Sequence, residues 1–145
     1  MMSPVRGIGA VVALLFAACS SSSLPNNRDG IAVEVIDGKT IEIQIDGTNQ
    51  PVKLCGVAPK PGAKAGLEKL VSFGDHVAVY GEGNHVEVFV PQPPGSDDAD
   101  GELHLNAELL ARGVAGLDRN TMRQCPNAQV LKSAFDPLPG DRLHH

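Results

Sequence analysis

The sequence predicts a mainly β domain with helices, an α+β fold, from apolar alternation and turn signals near the start of the chain. Residues 31–36 and 41–45 carry apolar side chains with a period of two, and an Asp-Gly pair follows each run. Such alternation bounded by Asp-Gly is typical of strands joined by tight hairpins. A third apolar run, 52–57, is ended by proline. Three such strands form a meander, which needs another layer to bury its apolar face.

Beyond residue 60 the pattern predicts a helix, two strands and two further helices. Residues 63–73 place Ala63, Leu67, Leu70 and Val71 on one helical face, and Gly74 is a natural end. The other predicted elements are strands at 76–80 and 85–90, a surface loop at 91–101, a helix at 107–112 with Asn106 as its N-cap, and a last helix of about ten residues with Ala128, Leu131, Ala134 and Phe135 on one face.

Three segments carry a family resemblance. The chain reads Asp37-Gly38-Lys39-Thr40-Ile41, then VKLCGVAP over 52–59, then LNAELLARGVA over 105–115. These segments resemble the D-G-D-T, R-L-x-G-[IV]-D-A-P-E and L-N-x-x-L-V-x-x-G motifs of the staphylococcal nuclease (thermonuclease) family. The resemblance spans residues 31–135 and implies a five-stranded barrel of the oligonucleotide/oligosaccharide-binding type with about three helices.

The same resemblance implies that the family's chemistry is missing. That family hydrolyses phosphodiesters with calcium, carboxylate ligands, a glutamate base and two arginines. Here Lys39 replaces a metal-binding Asp, Lys53 replaces an arginine, and Lys60 replaces the catalytic Glu. A second Asp is absent between Val57 and Ala58, and the turn before strand five has no arginine. The residues that persist are Asp37, Gly38 and Thr40, for which hairpin geometry and strand propensity are sufficient reasons.

We therefore expect a catalytically inactive binding or structural module without a metal or other cofactor. The alternative is a divergent calcium-dependent phosphodiesterase that cleaves DNA or RNA with other residues, for instance the acidic loop at 96–102 with Lys53. A solvated acidic loop is the simpler interpretation of that segment. The histidines His76, His85 and His104 are not expected to form a metal site, because surface or internally satisfied histidines are far commoner.

The N-terminal segment predicts export and a lipid anchor. Arg6 precedes an apolar stretch too short to span a bilayer, and residues 15–19 (LFAAC) resemble a lipobox. The prediction is a lipoprotein signal peptide at 1–18, a flexible tether at 19–29 lipidated on Cys19, the barrel domain at 30–136 and a flexible C-terminal tail at 137–145. Ordinary signal-peptide cleavage remains the alternative. The expected location is the cell envelope, at the outer membrane or periplasm if the cell has two membranes.

The net charge bears on the class of binding partner, and the cysteine count bears on disulfide formation. The formal net charge is −5, which disfavours phosphate chains unless basic residues are concentrated in one patch. An envelope protein or a glycan fits this charge better than nucleic acid. With Cys19 lipidated, Cys55 and Cys125 form an even pair, which favours a disulfide in an exported domain. Two buried free thiols are the alternative.

Overall fold

The computed structural model describes residues 27–93, 95 and 101–136. The predicted signal peptide, Cys19, most of the tether, the predicted tail and the core of the acidic loop lie outside these residues. The described elements are β1 (Asn27–Asp37), β2 (Thr40–Ile45), β3 (Thr48–Leu54), β4 (Val57–Pro59), α1 (Ala63–Leu70), β5 (His76–Tyr80), β6 (His85–Pro91), β7 (Glu102–His104), α2 (Leu105–Ala111), β8 (Ala115–Leu117), α3 (Arg119–Met122) and α4 (Ala128–Phe135).

Five strands close into a barrel, as predicted. Antiparallel neighbours follow the order β3-β2-β1-β5-β6, and a parallel pairing of β3 with β6 closes the circle. That parallel contact is short, because it joins only Lys53 with His85 and Leu54 with Val86. Further along, β6 pairs instead with β7, which extends the sheet to six strands. One flank of β6 therefore changes partner midway, and this change leaves a seam in the barrel wall.

The first strand begins earlier than predicted. Asn27 pairs with Tyr80, and the pairing of β1 with β5 continues to Ile31 opposite His76. Residues 27–29 therefore belong to the barrel and not to the predicted tether. Asn27, Arg28 and Asp29 are polar, so no apolar alternation marks them as part of a strand, and their partner in the sheet is β5.

The barrel interior is filled by branched aliphatic side chains, as expected from the scarcity of aromatic residues. The largest fully buried side chains include Ile41, Ile43, Leu54, Val79, Val86, Leu67, Leu105, Leu109 and Leu131. Helices α1, α2 and α4 contribute Leu67, Leu105, Leu109 and Leu131, which belong to the same hydrophobic core as the strand residues. Burial of this apolar surface is the main stabilising contribution to the fold.

Two predicted helices are shorter than the sequence indicated. Helix α1 ends at Leu70, and Val71 is extended although its side chain is buried. Phe73 follows in a loop and is 83% exposed. Helix α4 has eight residues and buries Leu131, whereas Phe135, at its end, is 43% exposed. No helix in the described part of the chain has the length and hydrophobicity needed to cross a bilayer.

Candidate functional site

The residues that match the nuclease motifs come together at one end of the barrel. Thr40 pairs with Lys53 across β2 and β3, and the Leu54 N–H donates to the Lys39 carbonyl at 2.8 Å. Lys60 follows β4, and its N–H donates to the Val114 carbonyl at 3.0 Å. We call this region, formed by Asp37 to Thr40 with Lys53 and Lys60, the lysine end of the barrel.

Gly38, at the tip of the first hairpin, packs closely against the end of β4 and the start of α1. A Cβ at residue 38 would lie 2.8 Å from both Pro59 Cβ and Ala63 Cβ, which is closer than carbon atoms pack. The hairpin tip therefore touches the end of β4 and the start of α1 only because residue 38 has no side chain. The second Asp-Gly turn uses glycine differently, since Asp46 and Gly47 both have positive φ, 52° and 80°.

This close approach gives a stability prediction. We expect Gly38→Ala to lower the free energy of unfolding by about 1–3 kcal/mol, because two packed Cβ atoms must move. Gly66→Ala is the matched control: its new Cβ meets Val114 Cγ2 at an ordinary 3.4 Å inside α1. Helix propensity should make that variant more stable by about 0.5–1 kcal/mol. Urea unfolding measures both, and equal effects of the two substitutions would contradict the close packing at residue 38.

Asp37 is held as a turn acceptor. Its Oδ1 accepts the Lys39 N–H at 2.9 Å. Partial burial opposes ionisation of Asp37, but hydrogen bonds from Lys39 and Thr40 together with the Lys39 charge outweigh it and keep the pKa of this carboxyl below its usual value. The persistence of Asp37 and Thr40 in the motif is thus accounted for by the hairpin itself.

Asp118 is a second acid on which the Lys39 charge has a small effect, and no sequence motif marks it. Its carboxylate accepts the N–H groups of Asn120 at 3.0 Å and Thr121 at 3.4 Å, so it caps α3. Burial opposes its ionisation, but hydrogen bonds from α3, chiefly from Thr121, and the charge of Lys39 lower the pKa of Asp118. For both carboxylates the hydrogen bonds of their own turns lower the pKa more than the Lys39 charge does.

The three histidines considered as a possible metal site lie on three different strands. His76 begins β5 opposite Ile31, His85 begins β6 beside Lys53, and His104 ends β7 opposite Phe89. Among the described residues, one group has three metal-ligating atoms within reach of one another, and it consists of Cys55, Glu87 and Cys125. Both of these cysteines are bonded to each other, so the group offers no thiolate. Of the acidic loop, Gly101 and Glu102 lie in the described residues.

The predicted disulfide is present. Cys55 and Cys125 are joined with a Cα–Cα distance of 5.7 Å across 70 residues of chain. Cys55 follows β3 directly, and Cys125 lies between α3 and α4. The bond therefore attaches the C-terminal helical segment to the barrel wall.

Glu87 is a buried acid that the sequence pattern did not reveal. It is 0% exposed, and its carboxylate accepts the Asn127 backbone N–H at 2.6 Å and Asn127 Nδ2 at 2.8 Å. His104 Nε2 lies 3.4 Å from Glu87 Oε1, without hydrogen-bond geometry. Burial lowers the pKa of His104, and the Glu87 charge opposes that shift only in part. Glu87 thus fixes the start of α4 against the outside of β6.

Comparisons with known proteins do not extend the family resemblance. Neither the protein-family models nor the curated proteins give a match to this chain. The positions quoted for the resemblance nevertheless converge at one end of the barrel, and lysines occupy three of them: Lys39, Lys53 and Lys60.

Proposed function

We propose that this chain is a lipid-anchored envelope protein whose nuclease-like barrel binds a partner and does not cleave phosphodiesters. The observation that carries the proposal is the place of Lys39, a cation in the hairpin turn whose own N–H donates to Asp37 Oδ1 at 2.9 Å, at the end of the barrel where Lys53 and Lys60 also lie. In a calcium-dependent nuclease a metal ion would neutralise such carboxylates. Here Asp37 and Asp118 accept hydrogen bonds from backbone N–H groups of their own turns, and the Lys39 ammonium adds a smaller favourable charge.

The ligand chemistry at the lysine end supports the same conclusion. Calcium takes six to eight oxygen ligands. The carboxylates of Asp37 and Asp118 are already engaged by backbone N–H groups of their own turns. Lys39 adds repulsion toward a second cation. Lys53 and Lys60 supply point charges without the planar paired donors of arginine, and a protonated lysine does not accept a proton from water.

The expected result of a nuclease assay is no cleavage. Purified protein with millimolar calcium should release no acid-soluble nucleotides from denatured DNA or from RNA above the buffer rate. Loss of one transition-state donor typically costs about two to three orders of magnitude in rate, and here the base and both arginines are absent. Lys53→Ala is the matched control. Activity that disappears in EDTA and in Lys53→Ala would overturn the proposal and establish the divergent phosphodiesterase.

Partner binding is tested in intact envelopes. Cross-linking followed by purification should recover a specific envelope protein or glycan with the wild-type chain. Cys19→Ser serves as the control for the anchor, because it removes the acylated thiol and should leave the chain in the soluble fraction. A wild-type chain that is soluble and captures nothing would contradict both the anchor and the binding role.

A further inference from the structure

The outer face of β5 and β6 carries a groove that the nuclease-like motifs do not use. It consists of three hollows of ≈ 460, 410 and 500 Å³. Phe89 lines the first and second hollows, and Tyr80 lines the second and third. The three hollows are therefore joined at these two aromatic side chains, and we call the whole the outer groove. Each hollow lies within the range of about 300–1,000 Å³ typical of small-molecule sites.

The middle of the outer groove is an aromatic platform. The Tyr80 and Phe89 ring centroids are 5.2 Å apart with planes at 81°, and Phe89 stacks on His104 at 4.5 Å with planes at 18°. Tyr80 and Phe89 are half-buried, so each ring is fixed by packing while part of it faces the groove. A rigid, partly exposed ring presents an apolar face at low entropic cost.

Polar groups surround this platform. Glu102 lies on the rim of the first and second hollows, Asp29 lines the first, and Arg123 and Gln124 line the third. Among the described residues, the exposed large apolar side chains are Ile31, Ile36, Phe73, Val130 and Phe135, and none of them lines the groove. The apolar surface of the groove is thus confined to the two half-buried rings and lies among polar groups, whereas the centre of a protein-binding patch is normally a broader apolar area.

We propose that the outer groove binds an uncharged oligosaccharide. This inference rests on the proposed binding function and assigns it a surface and a ligand class. The C–H faces of sugar rings pack on aromatic rings, while carboxylate, amide and guanidinium groups at the rim bind their hydroxyl and acetamido groups. Asp29 and Glu102 repel a phosphate chain, which disfavours nucleic acid. Three hollows in a row suit an extended ligand of several rings.

The groove is held in shape before any ligand binds. Asn127 at its edge is bound to the buried Glu87, and the wall formed by residues 123–126 is attached to the barrel through Cys125. A site fixed in this way loses little conformational freedom on binding.

The chain supplies its own probe for this test. Tyr80 is the single tyrosine and there is no tryptophan, so tyrosine emission reports on the outer groove alone. We expect the emission of the full purified chain to change saturably with a β-1,4-linked N-acetylglucosamine tetramer. An oligothymidylate and a basic tetrapeptide should not change it. Saturable binding of either of these instead of the tetramer would overturn the assignment of ligand class.

Substitutions locate the binding site. Phe89→Leu should weaken binding of the tetramer about tenfold, because it removes a stacking face. Glu102→Ala, at an exposed rim position, should weaken it by a smaller factor and does not depend on core packing. Phe73→Leu is the matched control, since this phenylalanine is 83% exposed outside the groove, and it should leave affinity unchanged. Calorimetry measures all three variants.

The outcomes separate this inference from the proposed function. Tetramer binding that is equal in Phe89→Leu, Glu102→Ala and wild type would place the glycan elsewhere and overturn the outer groove, while the binding role would stand. No change in Tyr80 emission or heat with the tetramer at millimolar concentration would overturn the ligand class. Calcium-dependent nuclease activity would instead overturn the proposed function, whatever the groove binds.

Discussion

Loss of the Cys55–Cys125 disulfide is expected to lower the free energy of unfolding by about 4 kcal/mol. On the chain-entropy model, the cross-link restricts the unfolded chain, and the closed loop here spans 70 residues. The folded state also depends on the bond, because it attaches the segment before α4 to the end of β3. Marginally stable domains have about 5–15 kcal/mol in total, so this loss is a large fraction.

Two forms of the protein separate the cross-link from its packing. Wild-type protein refolded under reducing conditions keeps both sulfur atoms and lacks the bond. The Cys55→Ala/Cys125→Ala variant also loses the sulfurs, which are buried, and should be about 1 kcal/mol less stable again. Urea unfolding of the oxidised, reduced and double-alanine forms gives the three values. If all three have the same midpoint, the bond contributes nothing and its proposed role is wrong.

The first strands were predictable because their signals are local, whereas closure into a barrel was implied by the family resemblance. Apolar and polar side chains alternate strictly over residues 41–45, and both Asp-Gly pairs mark turns. Strand β2 and its neighbours can therefore be recognised from the local sequence. The disulfide followed from counting cysteines in a domain that we expect to be exported. Each of these inferences uses residues that are close in sequence or of a type with few alternatives.

The missed features depend on contacts between distant residues. Strands β4 and β8 have three residues each, too few to show a period. Glu87 resembles any outward-facing strand residue, yet the start of α4 covers it, and that helix lies forty residues further along. Asp118 is attached to the barrel by its own N–H, which donates to the carbonyl of the distant Gly56 at 2.9 Å. These contacts arise only in the folded chain, so no local sequence pattern indicates them.

Asn106 lies in a segment that was correctly predicted as helical, but its predicted role as the N-cap was wrong. The sequence placed it as the N-cap of a helix at 107–112. Instead α2 begins at Leu105, His104 is the cap residue, and Asn106 is 0% exposed within the first turn. Asparagine is a good cap because its short side chain binds backbone groups, and here it binds the backbone of the barrel.

The buried side chain of Asn106 fills the seam in the barrel. Pairing of β3 with β6 stops at Val86, and pairing of β7 with β6 begins at Phe89. Between these points, the Val88 N–H donates to Asn106 Oδ1 at 3.1 Å. Asn106 Nδ2 in turn donates to the Val86 and Cys55 carbonyls at 3.0 and 2.9 Å. One side chain therefore replaces the missing strand neighbour.

Replacing Asn106 by leucine is accordingly expected to cost about 3 kcal/mol or more. Leucine has a similar volume, so the loss comes from the unsatisfied Val88 N–H and the weakened Val86 and Cys55 carbonyls, each buried away from water. Asn120→Leu is the matched control: Asn120 is exposed in α3, and the same change there should stay within about 0.5 kcal/mol. Urea unfolding compares the two variants directly, and similar small losses in both would show that Asn106 does not bridge the seam.

A third substitution, Asn106→Asp, uses pH to test whether the side chain at residue 106 must donate hydrogen bonds to the Val86 and Cys55 carbonyls. Ionised aspartate can accept from Val88 but faces the Val86 and Cys55 carbonyls without a proton to donate, and burial raises the pKa of such a carboxyl. A group with a raised folded-state pKa contributes stability below its unfolded pKa, about 3.9, and loses it as pH rises through the folded value. The deficit of Asn106→Asp relative to wild type should therefore shrink on acidification, while that of Asn106→Leu should stay constant. If the two deficits change together with pH, the hydrogen bonds donated by Asn106 Nδ2 are not what stabilises the barrel at the seam.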